Sequence, residues 1–400
     1  MKRTNQWVVA VVCLMTLAAG LLAAGMAQDR VLYPVKTGGG RSGPPGRPVV
    51  PEWGLLGGVS YENLTVFPVV SRAEASTSGF ATLDEALASG DVVVAESGSD
   101  IIRRTRDGRP IRYDSGPQVN RLVLVNRGKR PLVLLAGEVV SGGKQDRVIA
   151  KDRIVPPGAD PLPLDVFCVE HGRWTGASAQ FDSSKFMVHP SVREKAAVAQ
   201  KQDEVWAAVR GGTTADTSAT RVGGGGGAAK AAPAAPPVIT AEALSSIVTV
   251  EAQSESYDKI YNKSRVGKSV DSFAAEVSRR FEKAIAGLKG ERVIGVVVAY
   301  GGEVAWSDAF ASEQLFRVYW PKLLKSYVVE ALARPRTQER PAFEEARAFL
   351  EPLRGRVNEE SEPGVYRWRQ TSEGRLAAIE LESLAPKNLL LHWVKIRKTS

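Results

Sequence analysis

The segment GEVVSGGKQDR combines glycines with side chains that bind anions. Gly142 and Gly143 permit backbone conformations in which successive amides point at one anion, while Lys144 and Arg147 supply positive charge. Gln145 offers an amide that can bind a carbonyl or another amide. Together these residue types suit a carboxylate, a sulfate or a phosphate. The same pattern is also typical of a two-glycine hairpin whose basic residues face water.

This segment differs from the phosphate loop of nucleotide triphosphatases. A Walker loop has four residues between its first glycine and the Gly-Lys pair, and a Ser or Thr then holds magnesium. Here one residue too many separates Gly137 from the pair formed by Gly143 and Lys144, and Gln145 stands at the hydroxyl position. The spacing therefore argues against this class of enzyme.

A second segment, FCVEHGRW, carries further candidates on a predicted strand end. Glu170 is a carboxylate on a mainly apolar strand, so it must reach solvent or a cation such as Arg173. It serves either a salt bridge that ends the strand or ligand binding and proton transfer. Trp174 either packs in the core or offers a flat face to a base or sugar.

Nucleophilic and metal catalysis find little support in the sequence. Because side chains alternate along a strand, Cys168 and His171 lie on opposite faces unless a bulge intervenes, and Cys168 then acts as a small buried apolar residue. The histidines lack zinc spacing, and HExxH, CxxC and GxSxG motifs are absent. We predict no metal site, although carboxylates that converge only in the fold leave no signature: Glu138, Asp146, Asp152 and Glu170.

The first 27 residues predict export by a Sec-type signal. Lys2 and Arg3 precede an apolar run, and small residues stand at the two positions that a signal peptidase inspects. We expect the mature chain in the periplasm or outside the cell. The alternative is an uncleaved anchor at residues 7–24, which would be its only contact with a membrane.

Charge and cysteine content restrict partners and stabilising bonds. The formal net charge is +9, which favours anionic partners, but acidic residues are interleaved with the basic ones and a nucleic acid is an unlikely partner. Beyond the signal only Cys168 remains, so no disulfide can form within the mature chain. No cofactor can be assigned from the sequence.

Composition divides the rest of the chain into one domain with two segments unsuited to a core. Residues 28–52 are rich in Gly and Pro and predict a disordered tether, and residues 211–237 have almost no large apolar side chains. The folded domain is expected over residues 53–400. Its fold class is α+β, with mostly antiparallel strands.

Apolar periodicity places the elements of this domain. A β-rich half precedes a helical interval at 191–210, and a helix at 271–288, a strand at 293–300 and a helix capped by Ser312 follow. Pro321 is expected to kink or divide that last helix. Strands are predicted at 64–70, 91–96, 121–126, 132–135, 148–155 and 165–170, with a short helix at 83–88 and a C-terminal meander at 365–370, 376–381 and 389–396.

Three motifs resemble one known bacterial family. They are GE..SGGKQ.R, the strand end CVE.GRW, and the helix motif W.KLL.SY at 320–327. Together they are similar to the ARG and rhodanese-phosphatase-superfamily-associated protein domain, in which ARG stands for ADP-ribosylglycohydrolase. The resemblance covers most of residues 53–400, which makes residues 211–237 an insertion in one domain. It implies no activity, only a link to NAD-derived ligands, and it implies Gln at the position of His171.

Three functions follow as hypotheses. The first is an exported module that binds an anionic small molecule, nucleotide-like or ADP-ribose-like, through residues 142–147 and 170–174. The second is a hydrolase in which Glu170 or Glu138 acts as general base, with Cys168 as a remote nucleophile. The third is a non-catalytic structural or interaction protein of the cell envelope.

Overall fold

A computed structural model shows the fold of the chain. It describes residues 33–34, 53–73, 75–97, 109, 121–143, 145–169, 178, 180–211, 265–385 and 388–399. The predicted signal, most of the tether and nearly all of the predicted insertion lie outside these ranges. The α+β class is confirmed, with antiparallel sheets, helices and a C-terminal meander.

A long sheet forms the centre of the molecule. Within the described residues it has ten strands in the order β1-β2-β4-β14-β15-β19-β18-β17-β16, with β3 added beside β4. Every pairing in it is antiparallel. The strands are β1 Tyr33–Pro34, β2 Trp53–Leu55, β3 Val59–Tyr61, β4 Leu64–Ser71, β14 Arg292–Tyr300, β15 Glu303–Phe310, β16 Arg356–Glu362, β17 Tyr366–Glu373, β18 Leu376–Ser383 and β19 Leu389–Arg397.

Six further strands close into a barrel in the order β10-β12-β7-β6-β13-β9. Alternate side chains of each strand point into the barrel. The inward-pointing side chains form an apolar core, which includes Val94, Val140, Ile149, Val166 and Phe181. The barrel strands are β6 Val92–Glu96, β7 Arg121–Asn126, β9 Glu138–Gly142, β10 Arg147–Ile149, β12 Leu162–Cys168 and β13 Gln180–Met187. A small sheet beside it holds β5 Ala81–Thr82, β8 Leu132–Leu134 and β11 Arg153–Val155.

Helices cover the long sheet and join it to the barrel. The helical elements are α1 Leu83–Ala88, α2 Pro190–Glu194, a π-helical turn Lys195–Ala199, α3 Gln202–Gly211, α4 Arg265–Ile285, α5 Glu313–Ala333 and α6 Phe343–Ala348. Helix α5 packs against β14 and against the end of β13, and its aromatic residues enter the core that it shares with them and with the 186–188 segment. Among the described helices, none is long and apolar enough to cross a membrane.

Several local predictions differ from the structure for physical reasons. Residues 148–155 form two strands instead of one, because the chain leaves the barrel at Ala150 and enters the small sheet at Arg153. The predicted helix at 191–210 is interrupted at Gln200, which has a positive φ of 53°. Pro321 does not divide α5, which runs on to Ala333 with buried side chains on both sides of the proline.

Candidate functional site

The turn between β9 and β10 is built around two glycines with positive φ. Gly142 has φ 139° and Gly143 has φ 50°. A Cβ on Gly143 would lie 2.7 Å from Oε1 of Glu96 and would also collide with the ring of Phe181. Glycine is therefore required both for the backbone conformation and for close packing of the turn against the neighbouring barrel strands.

Arg147 begins β10 and is almost completely buried, with 1% of its surface exposed. Its Nη1 donates to the backbone oxygen of Gln145 at 2.9 Å and to the side-chain oxygen of the same residue at 3.3 Å. Its Nη2 lies 3.8 Å from Oε1 of Glu96. Within the described part of the chain, its Nε is buried and has no hydrogen-bond acceptor. The guanidinium is therefore only partly satisfied.

Cys168 lies directly opposite Arg147 on the neighbouring strand of the barrel. The backbone N–H of Val169 donates to the carbonyl of Asp146 at 3.3 Å, which makes Arg147 and Cys168 a non-hydrogen-bonded pair. Side chains of such pairs approach closely on the same face. The sequence placed these two residues on separate segments, and the barrel brings them together.

The outer edge of β12 is closed at Cys168 by a side chain. Gln202 of α3 accepts from the N–H of Cys168 at 2.9 Å and donates to its carbonyl at 3.0 Å. The amide of Gln202 thus takes the place of a neighbouring strand. Cys168 is fully buried, as expected for a small apolar residue.

Glu138, at the start of β9, is directed into the interior of the protein. Its Oε1 accepts from Nζ of Lys322 at 2.5 Å, and its Oε2 accepts from the N–H of Leu135 at 2.7 Å. Burial raises the pKa of Glu138, while Lys322 opposes that rise. Because both carboxylate oxygens are engaged, this geometry favours a structural role for Glu138 over general-base catalysis.

Lys322 belongs to the α5 motif W.KLL.SY and joins that motif to GE..SGGKQ.R. Its Nζ also donates to Oδ2 of Asp84 at 3.0 Å and lies 4.6 Å from the ring centre of Tyr319. Burial alone would lower the pKa of Lys322, but Glu138 and Asp84 raise it. The ammonium is therefore held in its charged form between two carboxylates.

A second buried cluster lies where the barrel side meets the long sheet, and His392 is at its centre. Nδ1 of His392 lies 2.6 Å from Oδ2 of Asp152, and Nε2 lies 3.0 Å from Oδ1 of Asp308. A neutral imidazole can donate from only one nitrogen, so this arrangement favours the imidazolium. Burial would lower the pKa of His392, but Asp152 and Asp308 raise it to about 9.

Asp308 collects most of the bonds in this cluster. Arg193 binds it with both terminal nitrogens at 3.0 Å, and Nε1 of Trp306 donates to it at 2.7 Å. The hydroxyl of Tyr327, the last residue of the W.KLL.SY motif, also donates to it. Burial would raise the pKa of Asp308, but Arg193 and His392 hold it well below its usual range. This carboxylate is thus ionised and fully bonded.

The short loop before β9 connects the two buried clusters. The N–H of Ala136 donates to Asp152 at 2.7 Å, and the carbonyl of Ala136 accepts from Nε of Arg193 at 3.3 Å. Gly137 follows with φ 96°, and a Cβ there would lie 2.5 Å from Cγ of Arg193. The first glycine of the motif therefore makes room for a buried arginine.

The sequence-predicted site residues fall into three groups. Gly142, Gly143, Gln145 and Arg147 lie at one end of the barrel, where Arg147 is paired with Cys168, and Glu138 instead joins α5. The others lie outside the described residues, so their predicted roles stay predictions: Lys144, Glu170, Arg173 and Trp174. Over the ranges that the structure describes, no three metal-binding side chains converge.

Sequence reasoning did not identify the buried charges of α2, β15 and β19 as partners. Arg193, Asp308 and His392 come from distant parts of the chain, and only the fold brings them together. A signal was nevertheless present in the apolar strand VAWSDAF, because a carboxylate within such a strand requires a buried cation or several donors.

Comparisons with known proteins identify the family. No curated protein and no solved structure matches the chain. Residues 54–394 match the ARG and Rhodanese-Phosphatase-superfamily-associated Protein domain. This match spans most of the chain and includes all three motifs. The protein therefore belongs to the ARPP-1 family, the ARG and Rhodanese-Phosphatase-superfamily-associated Protein domain family.

Proposed function

We propose that this domain binds an anionic small molecule at the Arg147 end of the barrel. The observation that carries the proposal is the incomplete bonding of a buried guanidinium. Arg147 is 1% exposed, its Nε has no acceptor among the described residues, and its Nη2 lies 3.8 Å from Oε1 of Glu96, which is too far for a hydrogen bond. An unsatisfied buried donor is costly, and an anionic oxygen would remove that cost.

One of the bonds that Arg147 makes can be exchanged for a bond to a ligand. The contact to the side-chain oxygen of Gln145 is long at 3.3 Å, and that side chain has a neutral oxygen. A carboxylate or phosphate oxygen would bind the planar guanidinium more strongly, with two parallel bonds.

The glycines of the turn support the same function. Gly142 and Gly143 carry no side chain between the backbone and the barrel end, and their positive φ values allow N–H groups to turn toward an anion. The net charge of +9 favours anions in general. The association recorded in the family description makes ADP-ribose and nucleotides the first ligands to test.

The test is ligand-induced thermal stabilisation of the full chain. ADP-ribose, AMP and inorganic phosphate are added in turn, and the melting temperature of each sample is compared with that of the ligand-free protein. Binding to the folded state raises the melting temperature with ligand concentration. At least one of these anions is expected to do so.

Substitution of Arg147 locates the binding. Arg147→Lys keeps the positive charge but removes the planar fork, so the ligand-induced shift should disappear while the protein stays folded. Arg72→Lys is the matched control, because Arg72 is 80% exposed in a surface ion pair with Glu291. A full ligand shift in Arg147→Lys would contradict the proposal, as would the absence of any shift in the unsubstituted protein.

A further inference from the structure

We infer that β16 is an interaction edge, at which a second copy of this chain adds its own β16 in antiparallel orientation. This strand is the last in the order of the long sheet, and among the strands that the structure describes it pairs with β17 alone. The six residues from Arg356 to Ser361 are all exposed. The inference does not rest on the proposed function, because it concerns a different surface.

The backbone of β16 presents a regular row of outward-pointing hydrogen-bonding groups. Just before β17, the carbonyl of Val365 accepts from the N–H of Leu384, so odd-numbered residues of β17 bond β18 and even-numbered residues bond β16. Each even-numbered residue of β17 faces an even-numbered residue of β16. The N–H and C=O groups of Val357, Glu359 and Ser361 therefore point away from β17, to the edge of the sheet.

The features that usually protect such an edge are weak in β16. Proline, lysine and bulges block the addition of a further strand, but β16 contains neither residue and pairs with β17 at consecutive positions along its whole length. Its glutamates are already neutralised by basic side chains of other elements: Lys151 is paired with Glu360, Arg153 lies 3.6 Å from Glu362, and Arg369 lies 2.9 Å from Glu359. Strong charge repulsion is therefore not expected at this edge.

The residue order of β16 favours a copy of itself as the added strand. With Glu359 on a two-fold axis, the whole strand pairs, and Arg356 of each copy lies opposite Glu362 of the other. Each outward-pointing residue then exchanges both backbone hydrogen bonds with a residue of the copy. Val357, which is 54% exposed in the single chain, comes to lie opposite Ser361. The arrangement is thus complementary in charge and in hydrogen bonding.

The test is the mass of the full chain, measured by sedimentation equilibrium over a range of protein concentrations. The unsubstituted protein is expected to pass from monomer to dimer as the concentration rises. Val357→Pro removes an outward N–H but no bond to β17, so it should need at least about tenfold more protein to dimerise. Val357→Thr is the matched control, because it keeps that N–H and a β-branched side chain and should dimerise as before.

Arg356→Glu tests the pairing without changing the backbone. It places glutamates opposite each other, so dimerisation should weaken about tenfold at low salt and less at high salt. Thermal unfolding checks that each variant is folded, and Arg356→Glu carries the test if Val357→Pro is not. A monomer at every concentration of the unsubstituted protein would overturn the inference. An undiminished dimer in folded Val357→Pro or in Arg356→Glu would also overturn it, because the copies would then meet in another way.

Discussion

Glu138 and Lys322 form a buried ion pair, with 2.5 Å between Oε1 and Nζ, although 184 residues separate them in the chain. Each belongs to one of the motifs by which the family can be recognised. The pair therefore joins the start of the barrel strand β9 to the helix α5 that covers the long sheet. Two motifs of the family therefore contribute here to the internal structure of the domain.

Breaking this pair on one side is expected to destabilise the fold strongly. Lys322→Met leaves the carboxylate of Glu138 buried without its cation, which costs about 3–5 kcal/mol in the free energy of unfolding. The double substitution Glu138→Leu with Lys322→Met removes both charges and should recover a large part of that loss. Urea unfolding of the single and double variants measures both effects. Purely additive losses would show that the two residues are not coupled.

Elements with a clear apolar period could be predicted from the sequence. The C-terminal meander and the helix α4 lie where periodicity placed them, and the cap of α5 is confirmed because Oγ of Ser312 accepts from the N–H of Leu315 at 3.1 Å. These features depend on neighbours a few residues apart. Local pattern is sufficient to specify them.

The missed strands have patterns that depend on distant partners. Gln180–Met187 is a mostly polar segment that forms part of the barrel wall, and Arg356–Glu362 is an exposed segment that forms a sheet edge. Neither segment shows the apolar alternation by which strands are predicted. Glu303–Phe310 carries Asp308 in the core, which is tolerable only because Arg193 and His392 reach it from other elements. The spacing of residues in the sequence does not indicate which distant side chains become neighbours in the fold. For the same reason Cys168 and Arg147 were not expected to be neighbours.

The glycine turn should tolerate no side chain at Gly143. Gly143→Ala forces a Cβ against Glu96 and Phe181 and keeps φ positive, so we expect a loss of about 2–4 kcal/mol in the free energy of unfolding. Gly290→Ala is the matched control, because Gly290 also has positive φ, 77°, but its Cβ would meet nothing within 4 Å. Its cost should be only about 1–2 kcal/mol. Equal losses in thermal unfolding would show that packing at the turn is loose.

The thiol of Cys168 should be protected by the side chain of Gln202. Gln202→Ala removes the two hydrogen bonds that close the edge of β12, and each contributes about 1 kcal/mol. Local opening should become easier, so iodoacetamide should label Cys168 about tenfold faster or more. Gln314→Ala, at an exposed position of α5, is the control and should leave the labelling rate unchanged. Unchanged labelling in Gln202→Ala would contradict the proposed closure of this edge.

Stability should fall as pH rises, because His392 must stay protonated between two carboxylates. Asp152 and Asp308 raise its pKa to about 9 from 6.5 in the unfolded chain. Arg193 and Tyr327 complete the cluster through Asp308. A raised folded-state pKa contributes stability that is complete below pH 6.5 and is lost as pH rises to 9, on the order of 3 kcal/mol in total. Urea unfolding at several pH values in this window measures the slope. His392→Gln should be less stable at pH 6 and show a much smaller slope, whereas an equal slope in both proteins would place the titrating group elsewhere.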